Sequence, residues 1–420
     1  MSDIRFEGWL HRSGTGGVYQ DSAGNVGIAS TQPQQKLDIG NGGFKVGPTG
    51  IATITTVNTT NLINATPLSH RNVIINGAAM VAQRGTSTTG ATSGGYATDR
   101  FQAVQNETGT ITISQDADAP TGSGFRQCHK LIQTTAQGSL AANDLTTFRY
   151  NAEGFDLQRF KKGTSSAEEF TVSFWVKTVD QSSYPVTYIL ELRDPVNTRS
   201  CCKSYTVSAS DTWEYKTITF PADTSGQWAT DNSKSLEMNW FVAAGSNYTS
   251  GTLSTSWATT VTANRAPGLT ANLSASTSNR FSLTGVQLEV GSQATPFEHR
   301  SYCEELARCQ RYYYRITGND NDTAGLGFAI SSNENYFWIE LPVPMRAYPT
   351  YSGSATAARF FSGNNGQDFN LSSLSISTPT THANPTKAFL YVTAGGTSTG
   401  YGGALSFQAD NGIMEFSAEL

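Results

Sequence analysis

Apolar and polar positions alternate over short runs along most of the chain, and that period marks strands rather than helices. In FTVSFWVKT, Phe170, Val172, Phe174 and Val176 fall on one side. In EYKTITFPA, Ile218 and Phe220 share a side while Thr217 and Thr219 face away. Similar runs recur up to residue 297: TITISQ, HKLIQTT, FRYNAEG, VTYILELRD, KSYTVSA, SLEMNWFVAAG and FSLTGVQLEVG. Their spacing predicts a β-sandwich. Further on, NYFWIELPV is stopped by two prolines, and KAFLYVTAGG, GALSFQAD and MEFSAEL follow. These predict a second, C-terminal β-sandwich. Before the first sandwich the apolar positions thin out to pairs: Val26 and Ile28, Leu37 and Ile39, Phe44 and Val46, then Ile51, Ile54, Val57 and Leu62. Each pair is a strand of two to four residues with a turn after it. One chain cannot bury so thin an apolar row. Three copies wound about an axis can, so the pattern predicts a trimeric shaft.

One segment breaks the period. Ser301 and Glu304 form a capping box, and Tyr302, Leu306, Cys309 and Tyr313 follow at spacings of four, three and four. A helix this short needs a packing partner. Either it lies on the sandwich it leaves, or its seam meets two further copies at a trimer axis. Both readings make it a connector between two β domains.

Composition narrows the classes. Charged residues make up 15% of the 420, with 40 glycines and a net charge of −5. Together with 17 Tyr, 21 Phe and 7 Trp, this suits strands and polar turns and excludes disorder. A mildly acidic chain lacks the basic footprint of nucleic-acid binding. No apolar run is long enough to insert in a membrane, and MSDIRFEGWLHRSG lacks a signal-peptide core. The expectation is synthesis and assembly in the cytoplasm. Cys128, Cys201, Cys202, Cys303 and Cys309 show no CxxC pairing and read as small packed side chains. On a strand, adjacent Cys201 and Cys202 would point to opposite faces.

Several stretches resemble phage fibre proteins. GNVGIASTQPQQKLDI is similar to a segment repeated in tail-fibre shafts, with Ala29 where glycine is usual. RNVIINGAAM, Gln83-Arg84-Gly85-Thr86, Tyr96 and Asp99-Arg100-Phe101 resemble the opening of a carbohydrate-binding-module-like jelly roll in such fibres, with Phe101 where tryptophan is usual. FTVSFWVKT, DTWEYKTITF and FSLTGVQLEVGSQATPFE resemble strands of family 4/9-like carbohydrate-binding modules. CQRYYYR and LPVPMRAYPT resemble the C-terminal domain of tail-fibre-like proteins. The resemblance implies an all-β homotrimer in five parts. These are a virion-attachment segment (1–35), an intertwined shaft (36–70), the module-like sandwich (71–299), a linking helix (300–315) and a C-terminal β domain (316–420). It implies a virion receptor-binding protein that recognises host-surface polysaccharide, its N-terminal segment contacting a tail, neck or capsid protein. A head or neck decoration fibre and a glycan-degrading tailspike are the alternatives.

The residues offer little chemistry. Gly396-Thr397-Ser398-Thr399-Gly400 matches GxSxG, but a strand follows it and no histidine lies beyond His382. It reads as a hairpin turn, and no enzyme is expected. The acidic neighbours Glu168 and Glu169, or Asp211 and Glu214, do not stand out as a catalytic pair. His11, His70, His129, His299 and His382 lack ligand spacing and read as surface or interface residues. No cofactor is expected. Glu289 is the one candidate for a structural calcium, which needs several further oxygen ligands. Sugar binding calls for an exposed aromatic platform with polar groups beside it. Trp228, Tyr248 and Trp257 lie in polar stretches near Asp231, Asn232 and Asn247 and are the candidate platform. Trp175 and Trp213 lie in strand patterns and read as packed.

Overall fold

The computed structural model describes short strands and Ser22 between residues 8 and 54. It also describes residues 70–420 apart from 92–93, 181, 354–357, 364–365 and 377–385. The chain forms two compact units, 1–65 and 66–420.

The first unit holds one sheet whose strands follow chain order: Gly8–Leu10 (β1), Gly17–Gln20 (β2), Val26–Ile28 (β3), Leu37–Ile39 (β4), Phe44–Val46 (β5) and Ala52–Ile54 (β6). β3 and β4 are parallel, and the other neighbours are antiparallel. The apolar pairs expected from the sequence mark β3, β4 and β5. Ile54 ends β6, and Ile51, Val57 and Leu62 lie outside the described residues.

In the second unit the strand signals form a two-layer sandwich. Its strands are Ser87–Ala91 (β7), Gly95–Tyr96 (β8), Phe101–Asn106 (β9), Thr110–Asp116 (β10), Cys128–Thr135 (β11), Leu145–Glu153 (β12) and Phe170–Val179 (β13). Val186–Asp194 (β14), Arg199–Val207 (β15), Glu214–Phe220 (β16), Lys234–Ala244 (β17), Ala258–Thr259 (β18) and Arg280–Val290 (β19) complete it. One sheet runs β16-β13-β19-β11-β10-β7 and the other β18-β15-β14-β17-β12-β9-β8. Phe170, Val172, Phe174 and Val176 fill the space between them, as the alternation requires. Cys201 joins that core, and Cys202 packs on the opposite face of the same strand. The extended segment 72–75 turns at Asn76-Gly77, where a Cβ on Gly77 would stand 2.1 Å from the Val286 carbonyl oxygen.

His129 is a core residue, which corrects the surface reading. Its ring stacks on Phe101 at 3.9 Å. Nε2 sits 2.9 Å from the Asn76 carbonyl and Nδ1 2.7 Å from the Thr98 hydroxyl. A carbonyl can only accept, so Nε2 carries the proton and Thr98 donates to Nδ1. Burial pushes the ring down to about 3, against the pull of the Asn76 carbonyl.

The helix Tyr302–Gln310 is capped by Ser301, whose hydroxyl accepts from the Glu304 amide at 3.3 Å. It lies on the sandwich: Cys309 and Leu306 pack with Ile75, Val81 and Tyr312. Tyr302 is exposed. Tyr313 is not on the helix, because the chain leaves it after Gln310 and Tyr313 begins the next strand. The regular seam expected through all four residues is therefore confined to Leu306 and Cys309.

The C-terminal β domain contains Tyr313–Gly318 (β20), Thr323–Ala329 (β21), Glu334–Glu340 (β22), Thr350–Ser352 (β23), Ala358–Ser362 (β24) and Asp368–Ile376 (β25). Lys387–Ala394 (β26), Gly402–Phe407 (β27) and Gly412–Ser417 (β28) follow. Its strands close into a barrel, β21-β22-β26-β25-β24-β27, beside a sheet β20-β28-β23. Closure depends on small residues in β21. A Cβ on Gly327 would stand 1.9 Å from the Tyr336 carbonyl oxygen.

A polar seam joins sandwich to barrel. Arg100, 2% exposed, pairs with Glu419 and donates to the Asn151 carbonyl at 2.6 Å. Its guanidinium lies 3.4 Å from the centre of the Tyr312 ring. Burial opposes its charge, but Glu419 together with Tyr312, Tyr150 and Tyr96 more than offsets it, holding Arg100 above its ordinary range. Arg84 covers the Tyr313 ring at 3.5 Å and reaches Glu419 at 3.2 Å. Gln83 bonds Asp99 and the Tyr313 carbonyl. Arg346 donates to the carbonyls of Asn232, Ala418 and Glu419 at 2.9, 2.7 and 3.0 Å. The Gln83-Arg84 and Asp99-Arg100 pieces of the opening motif thus form a docking surface for the C-terminal domain at the side of its β20-β28-β23 sheet.

Two outcomes follow for stability. Arg100→Met takes from Glu419 its most buried cation and leaves only Arg84, and is expected to cost about 3 kcal/mol in denaturant unfolding. Adding Glu419→Gln should recover part of that loss, and no recovery would show that the pair is not the cause. His129 stays neutral in the folded chain, whereas the unfolded ring takes a proton near pH 6.5. The unfolded state therefore binds more protons, and stability falls as pH is lowered through that window toward 3. The loss from this residue between pH 7 and 5 is about 2 kcal/mol. His129→Leu should flatten the pH dependence by that amount, and an unchanged slope would refute the assignment.

Candidate functional site

The six platform candidates do not assemble into an open site. Trp228 is 3% exposed and Trp257 9%. Trp228 meets Phe160 edge-on at 5.5 Å, and both indoles lie 6.1 Å from Phe170. Polar neighbours in sequence suggested loops, but these loops fold back and use their single large ring to seal the end of the core. Tyr248 packs beside Phe241 and Arg265 in a satellite cluster under the 245–269 loop. Asn247 is exposed on that loop. Asn232 is held by Arg346 in the domain seam, and Asp231 accepts from the Ser233 amide at 2.9 Å.

Between Trp228 and Trp257 sits Lys162, whose side chain is 1% exposed. Its ammonium is 2.6 Å from Asp194, 3.2 Å from Asp223, and 3.2 and 2.5 Å from the Ser225 and Gly226 carbonyls. Arg199 also pairs with Asp223, at 2.8 Å. This is an oxygen cage filled by an internal cation. Glu289 is different: Thr295 bonds it through amide and hydroxyl at 2.8 and 2.6 Å, and Gln287 donates at 2.8 Å. Among the described residues no group of three or more His, Cys, Asp and Glu could hold a metal.

An aromatic pair of half-buried Trp175 and exposed Tyr215 lies elsewhere, on the outer face of the sheet that contains β13. With Phe170, Val172, Phe174 and Val176 turned inward, Thr171, Ser173, Trp175 and Lys177 must turn outward. Trp175 stands directly opposite Tyr215 of β16, with ring centres 5.3 Å apart. Tyr215 is 46% exposed. Trp213 leads into β16, and its indole donates to Asp118 at 3.1 Å. Sequence reading took Trp175 and Trp213 as packed. The alternation already assigned to β13 was the signal that could have placed Trp175 outside.

Beside the rings lies an open pocket of about 230 Å³ lined by Asp118, Lys130, Lys177, Asp211, Arg280 and Ser282, among others. Ser282 forms its floor, with Lys177 opposite on β13 and Lys130 opposite on β11. Lys177 pairs with Asp118, and with Asp211 at 3.4 Å. Lys130 pairs with Asp116 at 2.7 Å. Burial works against the charge on Asp118, but hydrogen bonds from Lys177 and Trp213 hold it below the usual carboxylate value. Flat rings next to donors and acceptors of both signs suit a polyhydroxylated ligand.

The GxSxG stretch forms a turn with Gly396 and Gly400 at positive φ. It is not a hairpin, because β26 and β27 pair with other strands.

No protein-family model and no curated protein matches the chain. Among solved structures it is similar to the enzymatically active domain of tailspike protein 4 of bacteriophage CBA120. The identity is 10%, covering 52% of this chain and 21% of that one, with a TM-score of 0.27. A family 11 carbohydrate-binding module of a Clostridium thermocellum cellulosomal cellulase gives 10% identity, 49% and 99% coverage and a TM-score of 0.25. The CBM22-1 xylan-binding domain of a Paenibacillus barcinonensis protein gives 10%, 50% and 94%, and 0.24. These are distant likenesses, and the site stands on its own geometry.

The two classes of tryptophan should separate on mutation. Trp228→Ala opens the core and should cost about 3–5 kcal/mol. Trp175→Ala, on the outer face, should cost clearly less. Thermal unfolding of both variants checks this, and equal losses would refute the placement.

Proposed function

We propose that this chain is a non-catalytic, glycan-binding fibre protein of a phage virion, acting as a homotrimer in host adsorption. One observation carries the binding part: exposed Tyr215 and half-buried Trp175 lie side by side on one sheet face beside a polar pocket. Sugars bind such surfaces by laying an apolar ring face on an aromatic while neighbouring polar groups take the hydroxyls. The virion part is supported by the resemblance of the shaft, module-opening and C-terminal stretches to phage fibres. The trimer is supported by strands of three or four residues in the first unit, whose apolar row suits several chains. On the barrel exterior, Trp338, Leu326 and Phe361 lie across neighbouring strands and are exposed, and a second copy would cover such a patch. Avidity from three copies would offset a weak individual contact.

The test is binding of the purified chain to a panel of bacterial surface polysaccharides, with its mass in solution measured alongside. Trp175→Ala and Tyr215→Ala are each expected to weaken binding about tenfold. Reducing ends should not accumulate. Binding unaffected by both substitutions removes this face as the site, release of reducing ends turns the reading to a tailspike, and a monomeric mass removes the trimer.

A further inference from the structure

We propose that the sugar bound on this face carries a carboxylate, and that Arg280 receives it. The inference rests on the glycan reading above and names its substrate class. Three cationic side chains surround Ser282: Lys177 and Lys130 as its register partners, and Arg280 two residues away on the same face of the same strand. Two of the three are already neutralised. Lys130 pairs with Asp116, and Lys177 with Asp118 and Asp211. Arg280 lines the same pocket half-buried. Its guanidinium has no ion-pair or hydrogen-bond partner among the described residues.

A guanidinium always carries its charge, and its planar fork matches a carboxylate with two parallel hydrogen bonds. The pocket thus has one end where charges cancel, suited to hydroxyls, and one end with an uncompensated cation. The aspartates at the first end repel a second negative charge. That selects a single carboxylate, as on a uronic acid, over a densely charged sulfated or phosphorylated chain. The position also fits an extended ligand. Trp175 and Lys177 are neighbours on one face of β13, so a sugar on the ring platform and the next one over Ser282 lie about one strand repeat apart, roughly 7 Å.

The experiment uses the full chain at about 0.15 M salt, where weak surface attraction is screened. The probes are polygalacturonate, polyglucuronate and alginate, each beside its carboxyl-reduced form. Titration calorimetry is expected to show at least one acidic polymer bound about tenfold or more tightly than its reduced counterpart. Arg280→Met should erase that preference, bringing the acidic polymer down to the affinity of its reduced form. Thermal unfolding confirms that the variant is folded. Equal binding of acidic and reduced polymers, or a preference that survives Arg280→Met, overturns the carboxylate assignment while leaving the platform reading intact. Binding to none of the polymers also overturns the uronate assignment. Binding that ignores Trp175→Ala and Tyr215→Ala overturns the platform itself.

Discussion

The second unit depends on a charge pair that neither of its β domains could complete alone. Arg100 projects from the sandwich and Glu419 comes from the far end of the chain. Taking a guanidinium out of water is costly unless a carboxylate and further acceptors meet it. Here Glu419, the Asn151 carbonyl and the Tyr312 ring do so together. The arrangement makes the two domains one cooperative body, because separating them exposes half of a charge network rather than a sliding apolar contact. The linking helix beside it is short, because the chain leaves it after Gln310 and Tyr313 pairs into the next strand.

That rigidity matters for the outer face of the sandwich. The Trp175 and Tyr215 pair is set by strand register, and the floor of the pocket beside it by three adjacent strands, with Asp118 and Asp211 reaching in from the loops. A platform fixed this way loses little entropy on binding, which helps when each sugar contact is weak. A site on Trp228 and Trp257 would have removed two of the rings that close the end of the core. Here Trp228 and Trp257 serve the core, and strand-borne Tyr215 faces solvent.

Much of this was legible from alternation. The runs from TITISQ to FSLTGVQLEVG each became a strand, the capping box at Ser301 started the helix, and the apolar pairs at Val26, Leu37 and Phe44 marked short strands. What the period could not give was where a residue stands in three dimensions. Trp228 and Trp257 sit among Ser, Thr, Asn and Gly, and local polarity said loop, while only the path of the loop decides whether its ring turns in. His129 lies on the inward side of HKLIQTT, where alternation alone would have buried it, had the residue's polarity not argued otherwise. Tyr313 continues the helical spacing, yet pairing with Ser417 pulls it into a strand. The C-terminal strands were legible as strands, but their closure into a barrel depends on pairings such as β21 with β27, which lie far apart in sequence. The unpaired state of Arg280 is visible only once the partners of its neighbours are known.

Lys162 brings a different kind of independence. The cage of Asp194, Asp223 and two backbone carbonyls offers hard oxygens of the sort that hold divalent ions elsewhere. Here the occupant is tethered to the chain by its own side chain. A bound ion is lost when its free concentration drops, whereas this one is always present at the same effective concentration. The stretch from Asp223 to Trp228 is therefore fastened by a cation that the chain supplies itself.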